Sequence, residues 1–82
     1  MEYEVRIADE AKEKLRSLPK AIRRTIGHKI FLLQNDLSGD VKKLRGSSNE
    51  YRLRVGAYRV LFELEGKKIM IYAVGDRKDI YE

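Results

Sequence analysis

Three arginines in the second half of the chain are placed by the sequence pattern to act on one anion. Arg52 and Arg54 alternate with apolar residues in Tyr51–Val55, which predicts a strand with one buried and one exposed face. Gly56 begins a predicted two-residue turn of type II′, in which glycine supplies the positive φ. This turn places Arg59 directly opposite Arg54 on the exposed face. Because like charges in facing positions destabilise a hairpin, the arrangement favours a surface built to bind an anion.

The anion that best suits this surface is a phosphodiester. Guanidinium groups match phosphate oxygens bidentately and stay charged at physiological pH. Tyr72 is predicted on the same face, where an aromatic ring would stack on an unpaired base. Lys42, Lys43 and Arg45, just before the hairpin, extend the positive field and complete the predicted RNA-binding or ribosome-binding set. The alternative is a solvated sheet face on which the charges serve solubility only.

The C-terminal stretch Val74–Glu82 is the second candidate for chemistry. Gly75 permits a sharp bend at the end of the last strand. Arg77 would then lie over the arginine-bearing face, and Tyr81 would follow it. The alternative is a frayed tail in which Ile80 and Tyr81 cover the edge of the core.

Composition limits the classes of protein and site that fit. The 82 residues, 43% of them hydrophobic, suffice for one small domain, predicted over residues 1–82. Without cysteine the chain has no thiolate nucleophile or disulfide, and its one histidine, His28, is interpreted as a surface residue of a helix. No cofactor or metal is expected, since possible ligands are scattered. The net charge of +5 favours a polyanionic partner, either nucleic acid or an acidic protein segment. With no pattern of a membrane span or signal peptide, we expect a cytoplasmic protein.

The strands that must hold these residues follow from the same alternation. A second two-residue turn at Gly66 leads into a third strand that ends at Val74. The predicted core face is apolar and aromatic: Tyr51, Leu53, Val55, Tyr58, Val60, Phe62, Leu64, Ile69, Ile71 and Ala73. The predicted outer face carries Arg52, Arg54, Arg59, Leu61, Glu63, Met70, Tyr72 and Val74. In this register Val74 lies opposite Arg59.

Before this meander, the sequence predicts one strand and a pair of helices. Glu2–Ile7 alternates as a strand, and Asp9 is the predicted N-cap of a helix that Pro19 ends. The second helix presents an apolar stripe at helical spacing: Ile22, Ile26, Ile30 and Leu33. Packed as an antiparallel hairpin over the core face, the helices give a two-layer α+β domain with an antiparallel meander.

Three further residues of the second helix carry expectations about packing. Phe31 and Leu32 are expected to widen the apolar stripe toward its C-terminal end. Gly27 is expected to mark a close approach to the other helix or to the sheet. The side chains expected to be buried are Leu15, Ile22, Ile26, Phe62 and Ile71.

The order of elements and three short motifs resemble the RelE/ParE superfamily of toxins. The motifs are KLRG from Lys43, YRLRVGAYRVLFEL from Tyr51 and VGDRKDIY from Val74. The resemblance covers essentially the whole chain, and the last motif is more similar to the RelE branch. It implies the RelE-like fold and a toxin of a type II toxin–antitoxin pair, an mRNA interferase that cleaves messenger RNA on the ribosome without a metal. It also implies a cognate antitoxin, expected to contribute an acidic amphipathic segment, and no membrane partner.

The same resemblance implies roles for single residues. Arg52 and Arg54 correspond to basic residues that contact the reacting phosphate region. Arg59 and Arg77 correspond to arginines that stabilise the transition state. Tyr81 corresponds to the tyrosine that stacks on, or helps to activate, the nucleotide being cut.

Two alternatives remain within the superfamily. ParE-type toxins share the fold but inhibit DNA gyrase without cutting RNA. The other alternative is a catalytically inactive relative that only binds its antitoxin, because many relatives have histidine or lysine where this chain has Asp76. The motif from Gly75 to Tyr81 favours the nuclease, since a gyrase inhibitor needs no phosphate site there.

Overall fold

A five-stranded sheet forms one layer of the molecule, and a helical hairpin forms the other. The computed structural model describes residues 3–35, 37, 40–46 and 48–80. The chain runs through β1 (Glu4–Ile7), α1 (Asp9–Ser17), α2 (Lys20–Leu33), β2 (Val41–Lys43), β3 (Glu50–Val55), β4 (Tyr58–Glu65) and β5 (Lys68–Asp76). The strand order is β1-β5-β4-β3-β2, with β1 parallel to β5 and the other neighbours antiparallel. The predicted α+β fold is confirmed. Within the described residues, neither helix is long and apolar enough to cross a membrane.

The β3–β4 hairpin has the predicted register. Arg54 lies opposite Arg59, and Gly56 has φ +60° in the two-residue turn that joins the strands. Gly66 has φ +61° in the turn between β4 and β5, also as predicted. A residue with a Cβ would be strained at both positions, so each glycine fixes its turn.

A β-bulge in β5 changes the register that the sequence predicts for the last strand. Phe62 lies opposite Ile71 as expected, but Leu61 lies opposite Ala73, so Tyr72 has no partner residue on β4. Because side chains alternate between faces, one extra residue moves every later side chain to the other face.

Two positions predicted beyond the bulge are therefore wrong. Val74 is buried in the core opposite Val60, and not on the outer face. Ala73 is in register with the outer face, and not with the core. The residue opposite Arg59 is Gly75, so no β5 side chain faces this arginine.

The core lies between the helices and one face of the sheet. Its largest fully buried side chains are Phe62, Ile26, Ile69, Ile71 and Val60. Tyr51 stacks on Phe62 across the hairpin, with ring centroids 5.6 Å apart and an angle of 11° between the planes. Leu15 and Ile22, two of the five side chains expected to be buried, are half-buried at the margin of the core.

Three local boundaries differ from the sequence-based prediction. Val41–Lys43 forms β2, an edge strand paired with β3, where the sequence indicates only a basic segment leading into the hairpin. Ala8 is the N-cap of α1, so Asp9 is its first helical residue, where negative charge still interacts favourably with the helix dipole. β1 begins at Glu4, and Glu2 lies outside the described residues.

The solvent-facing side of α2 contradicts the packing expectations for three residues. Phe31 and Leu32 do not widen the buried stripe, because their side chains are 58% and 43% exposed. Phe31 follows buried Ile30 by one residue, which turns it about 100° away from the core. Gly27 is exposed, and apart from its two chain neighbours and the backbone of its own helix, no atom of the described chain lies within 4 Å of the position that a Cβ would occupy. It therefore marks no close contact within the fold.

Gly27→Ala is expected to raise the free energy of unfolding by about 0.5–1 kcal/mol, because alanine is favoured over glycine inside a helix. Urea denaturation followed by circular dichroism measures the change. Lys12→Ala, at an exposed position of α1, is the control and should change stability by less than about 0.5 kcal/mol. A less stable Gly27→Ala chain would show that the space over the helix is occupied in the folded monomer.

Candidate nucleic-acid interface

The face of the sheet turned away from the helices carries positive charge at one end. Next to the β3–β4 turn, Arg54 and Arg59 face each other, and Gly75 completes the row on β5. One row further from the turn, Arg52 lies opposite Lys42 of the edge strand. Neighbouring strands are about 4.8 Å apart, so these four cationic side chains share one small area. Lys42, Arg52, Arg54 and Arg59 form the basic corner of the sheet.

The three arginines of the basic corner differ in exposure. Arg54 is exposed, whereas Arg52 and Arg59 are half-buried with their Nε atoms shielded from solvent. Nη1 of Arg59 donates to the carbonyl oxygens of Gly56 and Tyr58, at 3.3 and 3.2 Å. These contacts hold the guanidinium of Arg59 beside the turn. A fixed, partly desolvated guanidinium is a preorganised donor for an anion.

The basic residues before the hairpin are divided between the two faces of the sheet. Lys42 is in register with Arg52 and extends the basic corner at the sheet edge. Lys43 is in register with Tyr51 and so belongs to the opposite face. Arg45 is exposed in the turn after β2. The structure thus brings one of these three residues into the predicted site and leaves Lys43 and Arg45 outside it.

Beyond the basic corner, the same face becomes acidic. Glu50 lies opposite Glu63, and the hydroxyl of Tyr72 donates a hydrogen bond to Oε1 of Glu50 at 2.6 Å. Burial raises the pKa of the Tyr72 hydroxyl well above its ordinary value, and the hydrogen bond and the two carboxylate charges raise it further. Tyr72 is half-buried and its hydroxyl is held by a carboxylate, whereas the sequence-based argument for base stacking assumes an exposed ring. Its part in RNA binding stays a prediction.

Glu50 is the residue of this face that sequence reasoning missed. The alternation is recognised from Tyr51 onward, but β3 begins one residue earlier. Glu50 precedes Arg52 by two residues, and side chains two apart in a strand lie on the same face. This spacing would have placed Glu50 on the arginine-bearing face. Together with Glu63 it gives the face a polarity, since a phosphate is attracted to the basic corner and repelled by the carboxylates.

The chain after β5 continues beside the basic corner. The backbone N–H of Arg77 donates to the carbonyl oxygen of Ala57 at 2.9 Å, which fixes this residue next to the β3–β4 turn. Arg77 is exposed and lies at the same end of the sheet as Arg59. The predicted position of Tyr81 lies outside the described residues.

Asp76 has a structural role in this C-terminal turn. Its Oδ1 accepts a hydrogen bond from the backbone N–H of Lys78 at 2.9 Å. Its carbonyl oxygen accepts from the N–H groups of Asp79 and Ile80, at 2.8 and 3.2 Å. Ile80 packs on Gly75, where an added Cβ would lie 3.1 Å from the Ile80 Cδ1 atom. The carboxylate therefore stabilises the turn after β5, and a side chain in place of Gly75 would require Ile80 to shift.

The chemistry available at this face is mainly electrostatic. Guanidinium groups stabilise negative charge that develops on a reacting phosphate, but they do not accept protons at neutral pH. The carboxylates on the same face, Glu50 and Glu63, lie on the side away from the β3–β4 turn. Among the residues that the structure describes, no three His, Cys, Asp or Glu side chains form a group that could hold a metal ion. The arrangement suits stabilisation of a bound anion.

The raised pKa of Tyr72 predicts a loss of stability in alkali. The unfolded chain ionises this hydroxyl near the ordinary value of about 10, whereas the folded chain retains the proton to higher pH. The contribution of the protonated Tyr72 hydroxyl to the free energy of unfolding is therefore present below about pH 10, and it falls as the pH rises above that value. Between about pH 9 and pH 11, Tyr72→Phe should lose less stability than the unmodified chain in urea denaturation. Glu13→Gln, an exposed carboxylate of α1, is the control; equal losses in all three chains would contradict the interpretation.

Comparison with known sequences places the whole arrangement in a family. A sequence model of the family described as "ParE toxin of type II toxin-antitoxin system, parDE" matches residues 5–81. The protein Toxin RelE3 of Methanocaldococcus jannaschii is 41% identical over 73 residues, which are 83% of this chain and 83% of the relative.

Solved structures with the same fold agree with the sequence matches. A chain of the RelB–RelE antitoxin–toxin complex from Methanococcus jannaschii is similar with a TM-score of 0.78 and 36% identity, over 93% of this chain and 94% of that one. A chain of the archaeal RelE–RelB complex from Pyrococcus horikoshii OT3 gives a TM-score of 0.82 and 32% identity, over 98% and 100% of the two chains. The fold, the basic corner and these matches together show that the chain belongs to the RelE/ParE superfamily of type II toxins.

Proposed function

We propose that this protein is a ribosome-dependent endoribonuclease that cleaves messenger RNA and thereby inhibits translation, as the toxin of a toxin–antitoxin pair. The observation that carries the proposal is the basic corner, in which Arg52, Arg54 and Arg59 share one solvent-facing end of the sheet. Arg77 follows at the same end. The 41% identity to a protein named Toxin RelE3 supports the RelE branch.

The reaction would use the RNA's own 2′-hydroxyl as the nucleophile. Its oxygen forms a new bond to the adjacent phosphorus, and the bond from phosphorus to the 5′-oxygen of the next nucleotide breaks. The 2′-hydroxyl gives up one proton and the leaving 5′-oxygen takes up one. The products are a 2′,3′-cyclic phosphate and a 5′-hydroxyl, and the route requires no protein nucleophile.

The residues of the site divide this work between them. Arg52 and Arg54 would bind and orient the phosphate, and Arg59 and Arg77 would stabilise the charge of the pentavalent phosphorane. Tyr81 would stack on a base or transfer a proton, although a phenol with a pKa near 10 is a poor base. Since the face offers no strong acid–base pair, positioning of the RNA by the ribosome would supply much of the rate.

The proposed partners follow from the same charges. Messenger RNA and ribosomal RNA are polyanions, and Lys42, Lys43 and Arg45 would add contacts to them around the sheet edge.

The cognate antitoxin would bring an acidic amphipathic segment that is disordered when free and wraps this domain. It would inhibit by covering the basic corner or by displacing the segment from Gly75 to Tyr81. The RelE relatives from the two archaea are found in complexes with RelB antitoxins, which supports such a partner. The proposal locates the protein and these partners in the cytoplasm.

Arg59→Ala and Arg77→Ala are each expected to slow cleavage by about 10²–10³, the usual cost of one preorganised transition-state donor. The rate is measured by primer extension on messenger RNA bound to programmed ribosomes. Arg16→Ala removes an exposed arginine of α1 that pairs with Glu13 at 3.6 Å, and it should leave the rate unchanged. Thermal melting of each variant shows whether the fold is retained.

Inhibition of DNA gyrase is the second candidate function, because the matching family is described by the ParE toxin. The Arg59→Ala and Arg77→Ala variants also distinguish gyrase inhibition from cleavage of messenger RNA. If Arg59→Ala and Arg77→Ala both remain fully toxic, messenger RNA stays uncut and the pure protein blocks DNA supercoiling by gyrase, the nuclease proposal is wrong and the gyrase proposal replaces it.

Tyr81 is tested by a pair of substitutions that separate its ring from its hydroxyl. Stacking survives in Tyr81→Phe but is lost in Tyr81→Ala, whereas both changes remove proton transfer. Single-turnover cleavage on the ribosome is the measurement. Equal losses in the two variants assign the role to the hydroxyl, and a near-normal rate in Tyr81→Phe assigns it to the ring. Normal rates in both would remove Tyr81 from the site.

A further inference from the structure

A carboxylate that precedes the edge strand reaches the basic corner from outside the strands. Asp40 comes directly before β2, and its carbonyl oxygen accepts a hydrogen bond from the backbone N–H of Arg54 at 3.0 Å. In the ladder of β2 and β3, Val41 lies opposite Leu53, so the same pairing carried one residue further brings Asp40 to Arg54. The edge strand therefore begins beside the exposed arginine of the corner.

The pleat determines the face on which Asp40 lies. Asp40 precedes Lys42 by two residues, and Lys42 is in register with Arg52 on the arginine-bearing face. Asp40 and Arg54 are both exposed, and opposite charges in facing positions of an antiparallel pair attract each other. Arg54 thus has a carboxylate on its edge side and the like charge of Arg59 on its other side. Both forces draw the guanidinium of Arg54 toward the sheet edge.

We propose that Asp40 is a specificity-determining residue, which weakens the binding of free RNA by neutralising Arg54 until the ribosome holds a phosphate over the basic corner. In the free protein, a phosphate must displace the carboxylate from Arg54 and then remain close to its negative charge. An RNA that the ribosome has already positioned loses less entropy on binding, so it can overcome this competition. The proposal rests on the proposed function, since it concerns the same site and the same substrate.

Two other roles for Asp40 fit the structure less well. The hydrogen bond that joins Asp40 to Arg54 uses the carbonyl oxygen, which every residue has, so the pairing does not require the carboxylate. A proton acceptor would have to lie close to the reacting phosphate. Asp40 is two strand spacings, or about 10 Å, from Arg59, which is proposed to stabilise the transition state. The electrostatic role requires only the charges that the register brings together.

The test is Asp40→Asn, which removes the charge and retains the backbone bond and the size of the side chain. Affinity is measured by fluorescence anisotropy with a single-stranded 2′-O-methyl RNA hexamer, which cannot be cut because it has no free 2′-hydroxyl. Asp40→Asn in the full chain should bind this RNA about three- to tenfold more tightly at low salt. The gain should shrink as added salt screens the charges.

A double-mutant cycle tests whether Asp40 acts through Arg54. In a chain that also carries Arg54→Gln, the gain from Asp40→Asn should fall to less than about twofold, because the interaction is already removed. Glu65→Gln is the control, since it removes one negative charge from an exposed position at the end of β4 remote from Arg59. It should change the affinity by less than about twofold. Thermal melting of each variant shows whether the fold is retained.

Each outcome decides the proposal. A salt-dependent gain in affinity that requires Arg54 would support it. Unchanged or weaker binding by Asp40→Asn, a gain that persists without Arg54, or an equal gain from Glu65→Gln would overturn it. So would a loss of cleavage on programmed ribosomes with unchanged affinity for the hexamer, because Asp40 would then be a proton acceptor. If the unmodified chain leaves messenger RNA intact but the gain through Arg54 is observed, only the nuclease proposal is lost.

Discussion

The pairing of β3 with β4 decides where every cation of the site lies. A two-residue turn at Gly56 allows the hairpin one register, and a shift by one residue would turn its arginines toward the helices. On the reverse face Leu53 lies opposite Val60, and both are buried. Burying one such side chain stabilises the fold by about 1.5–3 kcal/mol, more than the screened repulsion between Arg54 and Arg59 costs. The core therefore holds like charges side by side, and a phosphate bound between them would relieve their repulsion.

The bulge at Tyr72 completes the site on the β5 side. In a regular ladder Val74 would face Arg59 and cover part of the basic corner. The extra residue sends that valine into the core and places Gly75 opposite the arginine instead. On the same face, the Tyr72 hydroxyl donates a hydrogen bond to Glu50, and the two groups belong to the acidic end. Bulges commonly redirect side chains in this way beside functional sites.

Much of this sheet could be predicted from the sequence, and the exceptions have physical causes. The register is specified as far as Ile71 by two features of the sequence, the alternation in Tyr51–Val55 and the glycines of the two turns. After that residue the sequence reads Tyr72-Ala73-Val74, with an apolar or aromatic residue at every position, so the alternation cannot reveal a bulge. The edge strand Val41–Lys43 is too short to show a period of two, and only its partner strand defines it. Lys42 therefore joined the predicted site through its charge and not through a predicted strand.

The helices show a different limit of sequence reasoning. Hydrophobicity alone groups Phe31 and Leu32 with their buried neighbours, but a helix turns about 100° per residue, and a strict count sets Phe31 apart from Ile30. A glycine in a helix interior likewise suggests a close contact, but the sequence does not identify the element that makes the contact. Within the described chain, Gly27 has no close neighbour outside its own helix, so the glycine marks no contact of the fold.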